Sequence, residues 1–453
     1  MVMFALSSNF AHPITPTIIQ DLHLNDYMFG VALAMMQLAN FIVSPFWGKI
    51  NRYISSRTTL LIGCTGYGLA QMWFAFATTE SMIICARLLA GAFVGGIQVS
   101  FLTYVVNAAN EKDQAKFLTW SATITSVGGA FGYLLGGLMG EWSIKGTFIA
   151  QAVTLIATGI LFYAVSLSDK QEGKQLSLGQ IARDANPLKA FLDCGKFMTA
   201  AFAALFAVNI LINFGNTGFD QAFNYYLKDQ LSLTSAYNGI IKAAVGLVSF
   251  VSNMTLCVWI MNKTNVKRSL AILCAVCTLS ALGALVVPGI CAFIACAVLV
   301  YAAYSVSMPV LQNMVAAQAD PARKNLVMGF YNATRSLGSI AGSLTAGFIY
   351  SVNVKLPFAC TAAIYALALA AALVYAGYAI SLPVLQNIVA AQADPARKNL
   401  VMGFYNATKS LGSIAGSLTA GFIYSAGAKL PFACTAVIYG LSMVAGIAYL
   451  RKK

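Results

Sequence analysis

The feature that most constrains this chain is a succession of apolar runs, each about 20 residues long, separated by short polar loops. A run of that length crosses the hydrocarbon core of a bilayer as a helix, which satisfies all of its own backbone groups. Charged residues make up only 9% of the 453 residues, against about 25% in a soluble domain. The sequence therefore predicts an all-α polytopic membrane protein.

The apolar runs fall into two sets of six. The first set predicts helices near residues 2–20, 27–48, 57–78, 81–107, 115–140 and 146–167, and the second near 197–227, 237–261, 269–287, 289–318, 325–350 and 356–382. The polar stretch between them predicts a cytoplasmic linker. We expect a six-helix bundle at 1–167, the linker at 168–196, a second six-helix bundle at 197–382 and an additional helix pair at 383–453.

Loop charges predict the orientation. Alternate loops carry the basic residues Lys49, Arg52, Arg57, Lys112, Lys116, Lys263, Lys267, Arg268, Arg323 and Lys324. The other loops carry Asp21, Asp26, Glu80, Glu141, Lys145, Lys228, Asp229 and Lys355. We call these the basic side and the acidic side. Because basic loops stay in the cytoplasm, the linker and the C-terminus are expected there, in a multi-pass protein of the plasma membrane. The same distribution accounts for the formal net charge of +14 without a nucleic-acid partner.

A glycine pattern relates the two bundles. Ser-x-Gly-x-x-x-Gly-x-x-x-x-Gly occurs in the fifth and eleventh predicted helices, as Ser126, Gly128, Gly132 and Gly137, with Gly136 beside them, and as Ser336, Gly338, Gly342 and Gly347. Glycines at this spacing let helix backbones approach closely in a membrane. A shift of about 210 residues superimposes the two patterns. Two similar bundles in a parallel pseudo-two-fold repeat are the plan of many transporters, with a site between them near the midplane.

The C-terminal region contains a tandem duplication. Residues 308–365 recur at 382–439, an offset of 74, with 51 of 58 positions identical. The copy repeats the glycine pattern at Gly412 and Gly416 and has Lys409 in place of Arg335. It predicts two extra C-terminal helices, about 14 spans in all, and one hybrid span near residues 356–390 with a kink or break at Pro383. We expect the first copy, synthesised earlier, to pack in the bundle.

Ionisable residues inside apolar runs are candidates for the transport path, because a charge in the membrane usually faces a cavity or a partner. Asp220 lies several residues inside its helix, with an interfacial Asp at an early helix end as the alternative. His12 occupies the corresponding place in the first helix, where a packing role is the alternative. Arg87 is either buried in the path or extends to the interface.

Arg335 is the deepest charge, about 15 Å into its helix at 1.5 Å per residue. It is our first candidate for solute contact, since a charge at that depth needs a cavity or a carboxylate partner. The amides of Gln98, Asn213 and Asn216 are further candidates for lining the cavity.

Three short stretches carry a family resemblance. The loop after the second helix reads GKINRYISSR from Gly48 to Arg57, the fourth helix contains RLLAG from Arg87, and the fifth contains GYLLGG from Gly132. They resemble the G-x-L-x-D-R-x-G-R-R, R-x-x-Q-G and G-P-x-x-G-G motifs of the major facilitator superfamily, particularly its drug:proton antiporter-like branch. The chain departs from these motifs at Arg52, Ser55, Ala90 and Tyr133. The resemblance implies that Gly48, Arg52 and Arg57 form a gating loop and that Arg87 lies in the substrate or proton path.

This resemblance and the buried charges predict a secondary active transporter working by alternating access, namely proton-coupled efflux of amphipathic compounds. Asp220, with His12 as a lesser candidate, would take the proton. Uptake of a small polar or anionic solute is the alternative, favoured by Arg335. The third reading is a non-transporting recombination product, motivated by the duplication, the altered loop and an abrupt first helix that suggests a truncated start. We expect a monomer in the lipid bilayer whose partners are a solute and protons, with no enzymatic activity, cofactor or metal.

Overall fold

The structure is a computed structural model that describes residues 1–411 except 52, 109–110, 169–185, 321–322, 393, 395–396, 398–399, 406 and 409–410. All of the regular secondary structure in these residues is helical, as predicted. The described part of the N-terminal half contains α1 (Val2–Ser7), α2 (Thr15–Asp21), α3 (Met28–Ile50), α4 (Ser56–Ala75), α5 (Glu80–Ala108), α6 (Glu111–Trp142) and α7 (Ile144–Val165).

The second half follows the same order of long helices. It contains α8 (Lys189–Leu192), α9 (Ala200–Asp229), α10 (Ser235–Ser252), α11 (Val258–Lys263), α12 (Val266–Val286), α13 (Ile290–Gln318), α14 (Lys324–Val352) and α15 (Leu356–Gln392). A π-helical turn, Asn253–Cys257, joins α10 to α11. Side-chain caps begin some of these helices, since Thr199 accepts from the Phe202 amide and Asn265 accepts from the amides of Lys267 and Arg268.

The prediction of one continuous first helix is wrong, because the helix is broken between Ser7 and Thr15. Pro13 and Pro16 explain the break: proline lacks an amide hydrogen and restricts the residue before it. Shorter-range bonds replace the helical ones, including those from the Phe10 amide to the Ser7 carbonyl at 3.2 Å and from the His12 amide to the Asn9 carbonyl at 3.4 Å. The break leaves backbone carbonyls at His12 and Pro13 available for other partners.

The glycine patterns position the central helices. A methyl group on Gly128 would collide with Ala5, on Gly132 with the Leu6 carbonyl and on Gly136 with the Phe10 backbone, so α6 packs tightly on the first helical segment. In the second half, Gly338 and Gly342 lie equally close to the carbonyls of Ile210 and Phe214 in α9. The first copy of the duplicated stretch therefore packs in the bundle. Gly412 and Gly416 lie outside the described residues.

Two crossings join the halves. Helix α6 packs against α10, and α14 packs against α3. Within the halves, α3 and α4 pack on α5, α4 also on α7, α9 on α14, and α12 on α13. The matching crossings are what a pseudo-two-fold repeat requires.

Eight described helices are long and apolar enough to cross a membrane by themselves. The other long helices, α4, α6 and α14, carry glycine and polar residues on faces that pack in the bundle. The predicted number of spans, fourteen, depends in part on residues beyond 411, which lie outside the described part of the chain.

Contacts divide the chain into two units, Met1–Ala376 and Gly377–Lys453. The first contains all of the features described below. Helix α15 continues past Pro383 to Gln392 without a break, although its apolar span ends at Ala376. The hybrid helix expected at the duplication junction is thus present and is not broken at Pro383.

Candidate functional site

The acidic end of the bundle is closed by backbone contacts between the halves. Gly30 of α3 lies against Gly347 of α14, and Gly137 of α6 lies against Gly239 of α10. A Cβ atom at any of these glycines would meet backbone atoms of the facing helix. The hydroxyl of Ser343 also donates to the Gly30 carbonyl at 2.7 Å. The third glycine of each sequence pattern therefore joins the two halves, whereas the earlier glycines pack within a half.

Side-chain hydrogen bonds reinforce this closed end. The Tyr225 hydroxyl donates to Asp26 at 2.6 Å, and the Tyr350 hydroxyl donates to Asp229 at 2.8 Å. Gln20 donates to the other oxygen of Asp229 at 3.2 Å. The Tyr225–Asp26 and Gln20–Asp229 bonds join the two halves and must break before the acidic end can open, whereas the Tyr350–Asp229 bond lies within the second half.

The basic side instead contains a large cavity of about 740 Å³. Its described lining combines amides, hydroxyls and one cation with a few apolar side chains. The polar members are Gln37, Asn40, Ser44, Gln98, Thr125, Asn186, Asn332, Arg335, Ser336 and Ser339. No carboxylate occurs among the lining residues that the structure describes. A volume of several hundred Å³ is the usual size of a small-molecule site.

Arg335 and Gln98 occupy the cavity wall as expected from the sequence. Arg335 projects from α14 and is exposed to the cavity, with the Tyr304 hydroxyl beside its guanidinium. Gln98 of α5 accepts a hydrogen bond from Asn40 of α3 at 3.5 Å. A guanidinium that faces such a cavity can bind a carboxylate or phosphate in two-point geometry.

A buried ion pair lies in the second half, between α9 and α10. The ammonium of Lys242 contacts Asp220, and both groups bond the hydroxyl of Tyr301 in α13 at 2.7 and 2.8 Å. The side chain of Lys242 is 4% exposed and that of Asp220 is 25% exposed. Three aromatic rings, those of Tyr133, Phe223 and Tyr301, surround the ammonium within 5.8 Å. Each charge therefore depends on the other for its stability in the membrane.

His12 lies next to this pair. Its ring stacks on Tyr133 of α6 with the centroids 5.4 Å apart. The carbonyls released by the helix break accept bonds from the second half: Asn224 donates to His12 at 3.0 Å and Asn238 to Pro13 at 3.3 Å. The proline break thus connects the first helical segment to α9 and α10, near Lys242 and Asp220.

Arg87 is buried in α5, on the opposite side of the interface. Its guanidinium donates to the Thr15 hydroxyl at 3.4 Å and stacks over the Phe74 ring at 4.2 Å. The described residues supply no carboxylate within ion-pair distance of it. With His12, Thr15, Asn224 and others it lines a cavity of about 20 Å³, which has room for about one water molecule. Arg87 is therefore buried rather than extended to the interface.

Asn213 and Asn216 do not line the large cavity. Asn213 is fully buried, donates to Asn209 at 2.8 Å and accepts from the Tyr304 hydroxyl at 3.1 Å. The side-chain oxygen of Asn216 is buried without a hydrogen-bond partner. The two amides contribute to the interior of the second half instead of to the cavity wall.

The described side chains of the loop after α3 make their contacts within the first half. Arg57 donates to the Ser166 carbonyl at 3.0 Å and lies over the Tyr163 ring at 5.0 Å, which links the start of α4 to the end of α7. Gly48 has Val99 3.9 Å from the position of a Cβ, an ordinary contact. Arg52 lies outside the described residues. The gating role of this loop remains a prediction.

Lys242 is the main residue that the sequence analysis missed. It stands in the run Ile240-Ile241-Lys242-Ala243-Ala244, so the signal was a single lysine among apolar residues in the eighth predicted helix. In the part of the chain that the structure describes, no three His, Cys, Asp or Glu side chains form a group able to hold a metal ion.

Comparison with known proteins finds a matching family model and relatives that align with most of the chain. The family model of the Major Facilitator Superfamily matches residues 1–343 and 356–453. Multidrug resistance protein 2 of Bacillus subtilis (strain 168) is 22% identical over 349 residues, 76% of this chain and 86% of that protein. Quinolone resistance protein NorA of Staphylococcus aureus is 20% identical over 358 residues, again 76% of this chain and 86% of that protein.

Solved structures share the fold at low sequence identity. The human organic anion transporter MFSD10 (TETRAN) aligns with a TM-score of 0.61 at 16% identity, covering 82% of this chain and 96% of that one. The nucleoside transporter NupG aligns with a TM-score of 0.67 at 13% identity, covering 83% and 97%. A bacterial homologue of the human lysosomal transporter Spinster gives 0.67 at 10% identity, covering 83% and 94%.

Proposed function

Because the chain belongs to the Major Facilitator Superfamily, we propose that it exports small amphipathic compounds in exchange for protons. Its relatives and its fold are those of membrane transporters, not of enzymes. Alternating access requires a central site that is open to one side at a time. A cavity on the basic side and a closed acidic end correspond to one of the two states.

The observation that carries the proposal is the buried pair of Asp220 and Lys242. A proton arriving at Asp220 would neutralise the carboxylate and leave the Lys242 ammonium buried without a counter-charge. That state is costly in a membrane interior, so the packing around Lys242 must change or the ammonium must gain water. His12, Asn224 and Asn238 join the same region to the other half. Protonation can therefore bias the arrangement of the two halves.

The charge of the loops supports export. With basic loops in the cytoplasm, the large cavity opens to the cytoplasm and an exporter could load its substrate there. The names of relatives such as multidrug resistance protein 2 and quinolone resistance protein NorA favour drug-like compounds. We propose a monomer in the plasma membrane with a cytoplasmic C-terminus.

Transport in sealed vesicles with an imposed pH gradient tests this function. Purified protein is reconstituted, and efflux of a panel of amphipathic dyes is recorded with and without the gradient. Proton coupling predicts faster efflux with the gradient and little response in Asp220→Asn. Flux that ignores the gradient, or that is the same in Asp220→Asn, contradicts the coupling.

Uptake of a small polar or anionic solute is the second candidate. Arg335, the amides around it and the lack of a carboxylate among the described lining residues favour this solute class. Proteins of this fold include an organic anion transporter and a nucleoside transporter, so the fold does not restrict the solute to drug-like compounds. Cells that express the chain should accumulate a labelled anionic solute in this case, whereas an exporter should lower its level.

A further inference from the structure

A second cavity lies away from Arg335, at the junction of α11, α12 and α13. It has a volume of about 440 Å³ and shares no lining residue with the large cavity. Its walls are mainly apolar and include Leu256, Trp259, Ile272, Val276 and Leu299. Trp259, Ile272 and Leu299 are more than half exposed, so the cavity is a groove that opens toward the surrounding lipid.

The shape of the groove follows from local backbone and side-chain size. The π-helical turn Asn253–Cys257 interrupts the α10–α11 segment beside the groove, and such turns are often found at functional sites. Asn253 and Thr255 bond the carbonyls of Ser249 and Val251 at 3.2 and 2.8 Å, which stabilises the irregular turn. On the facing wall, α13 presents small alanines, Ala302 and Ala303. The groove is therefore a built part of the fold.

Positive charge surrounds the end of the groove on the basic side. Arg268 lines it, Lys263 is the last residue of α11, and Lys267 lies in the first turn of α12. The sequence contains no Asp or Glu from residue 230 to residue 319. Asn265 caps the first turn of α12, and the structure gives the Arg268 side chain no hydrogen-bond or ion-pair partner among the described residues. An anion at this point would meet the Arg268 guanidinium, and the described residues that line the groove include no acid.

We propose that this groove binds an anionic phospholipid of the leaflet on the basic side. The phosphate lies at Arg268, with Lys263 and Lys267 contributing attraction, and one acyl chain follows Ile272, Val276 and Leu299 into the membrane. The eight residue steps from Arg268 to Val276 span about 12 Å along α12, close to the ~15 Å depth of one leaflet's hydrocarbon. Basic residues at the membrane surface attract anionic headgroups, which supplies the selectivity.

Titration of the purified full-length protein with lipid, followed by native mass spectrometry, tests the proposal. Phosphatidylglycerol and phosphatidylcholine with identical chains are compared. We expect tighter binding of phosphatidylglycerol, and Arg268→Gln should weaken it about fivefold, the effect of one basic residue near a charged surface. Lys355→Gln, which removes an exposed charge on the acidic side, is the matched control and should leave binding unchanged.

A second variant tests the apolar part of the groove. Ala302→Phe fills the groove without changing the charge, so it should lower phosphatidylglycerol binding while Arg268 remains. Equal binding of both lipids would assign the groove to a neutral lipid, and preferential binding of the lipophilic cation tetraphenylphosphonium would assign it to a transported compound. Either result overturns the proposal, as does an Arg268→Gln protein that binds like Lys355→Gln.

Discussion

Helices α6 and α14 have the same backbone role in the two halves but carry different chemistry. Gly132 and Gly136 pack α6 on the first helical segment, just as Gly338 and Gly342 pack α14 on α9. The next glycine in each helix crosses to the other half, Gly137 to Gly239 and Gly347 to Gly30. The repeat therefore fixes where backbones meet, both within the halves and between them.

The chemistry of the side chains differs between the two halves. Arg335 of α14 corresponds to Thr125 of α6 at the offset of 210, and both line the large cavity. The second half contains the pair Asp220–Lys242, whereas the first contains Arg87 with Thr15 and Phe74. The comparison teaches that glycine positions supply a common framework and that a few substitutions on it place different charges in the two halves.

The largest effect is expected from breaking the ion pair. Lys242→Met leaves Asp220 in the membrane interior without a counter-charge and should cost about 3–5 kcal/mol of stability. Thermal unfolding in detergent measures this loss, with Lys355→Met as the exposed control. The double variant Asp220→Asn with Lys242→Met should recover most of the stability. A double variant as unstable as the single one would show that the lysine acts by packing alone.

Glycine substitutions should affect both halves alike. Gly132→Ala and Gly342→Ala each force a methyl group against a backbone carbonyl, and we expect a loss of about 1–3 kcal/mol in either half. Gly329→Ala on α14 meets open space and is the matched control, expected to be neutral or slightly stabilising. Unequal losses at Gly132 and Gly342 in thermal unfolding would break the proposed equivalence of the helices.

Replacing Arg335 with Thr, the residue at the corresponding position of α6, tests the chemical difference between the halves. Arg335→Thr makes α14 resemble α6 at this position and removes a charge-assisted hydrogen bond, so the KM for an anionic solute should rise about tenfold. The KM for a neutral solute of the same shape should not change, and Thr125→Ser should alter neither. An equal loss for both solutes would mean that Arg335 supports the cavity without contacting the solute.

The smallest effect is expected from removing the duplicated segment. A chain without residues 373–446 keeps nearly all of the first compact unit, Met1–Ala376, and the first copy of the glycine pattern. We expect unchanged transport in reconstituted vesicles. If only the shortened chain transports, the full chain is the non-transporting recombination product considered from the sequence.

The sequence predicts the helices and their close contacts well, because apolar length and glycine spacing are local signals. It identifies Asp220, Arg87, Arg335 and Gln98 as buried or cavity residues. It fails where partners come from distant helices: Lys242 was not connected with Asp220, and Asn213 was placed in a cavity wall. The break before Thr15 was not predicted, because apolar length alone does not account for Pro13 and Pro16 as helix breakers.

The central claim is that Asp220 binds and releases a proton in each transport cycle. Proteoliposomes with a trapped pH dye receive a gradient of a transported compound, and the movement of protons is recorded for the wild type and Asp220→Asn. The account predicts that the wild type moves protons in the direction opposite to the compound. Asp220→Asn should still exchange compound for compound but give no pH signal. An equal pH change in both proteins would contradict it.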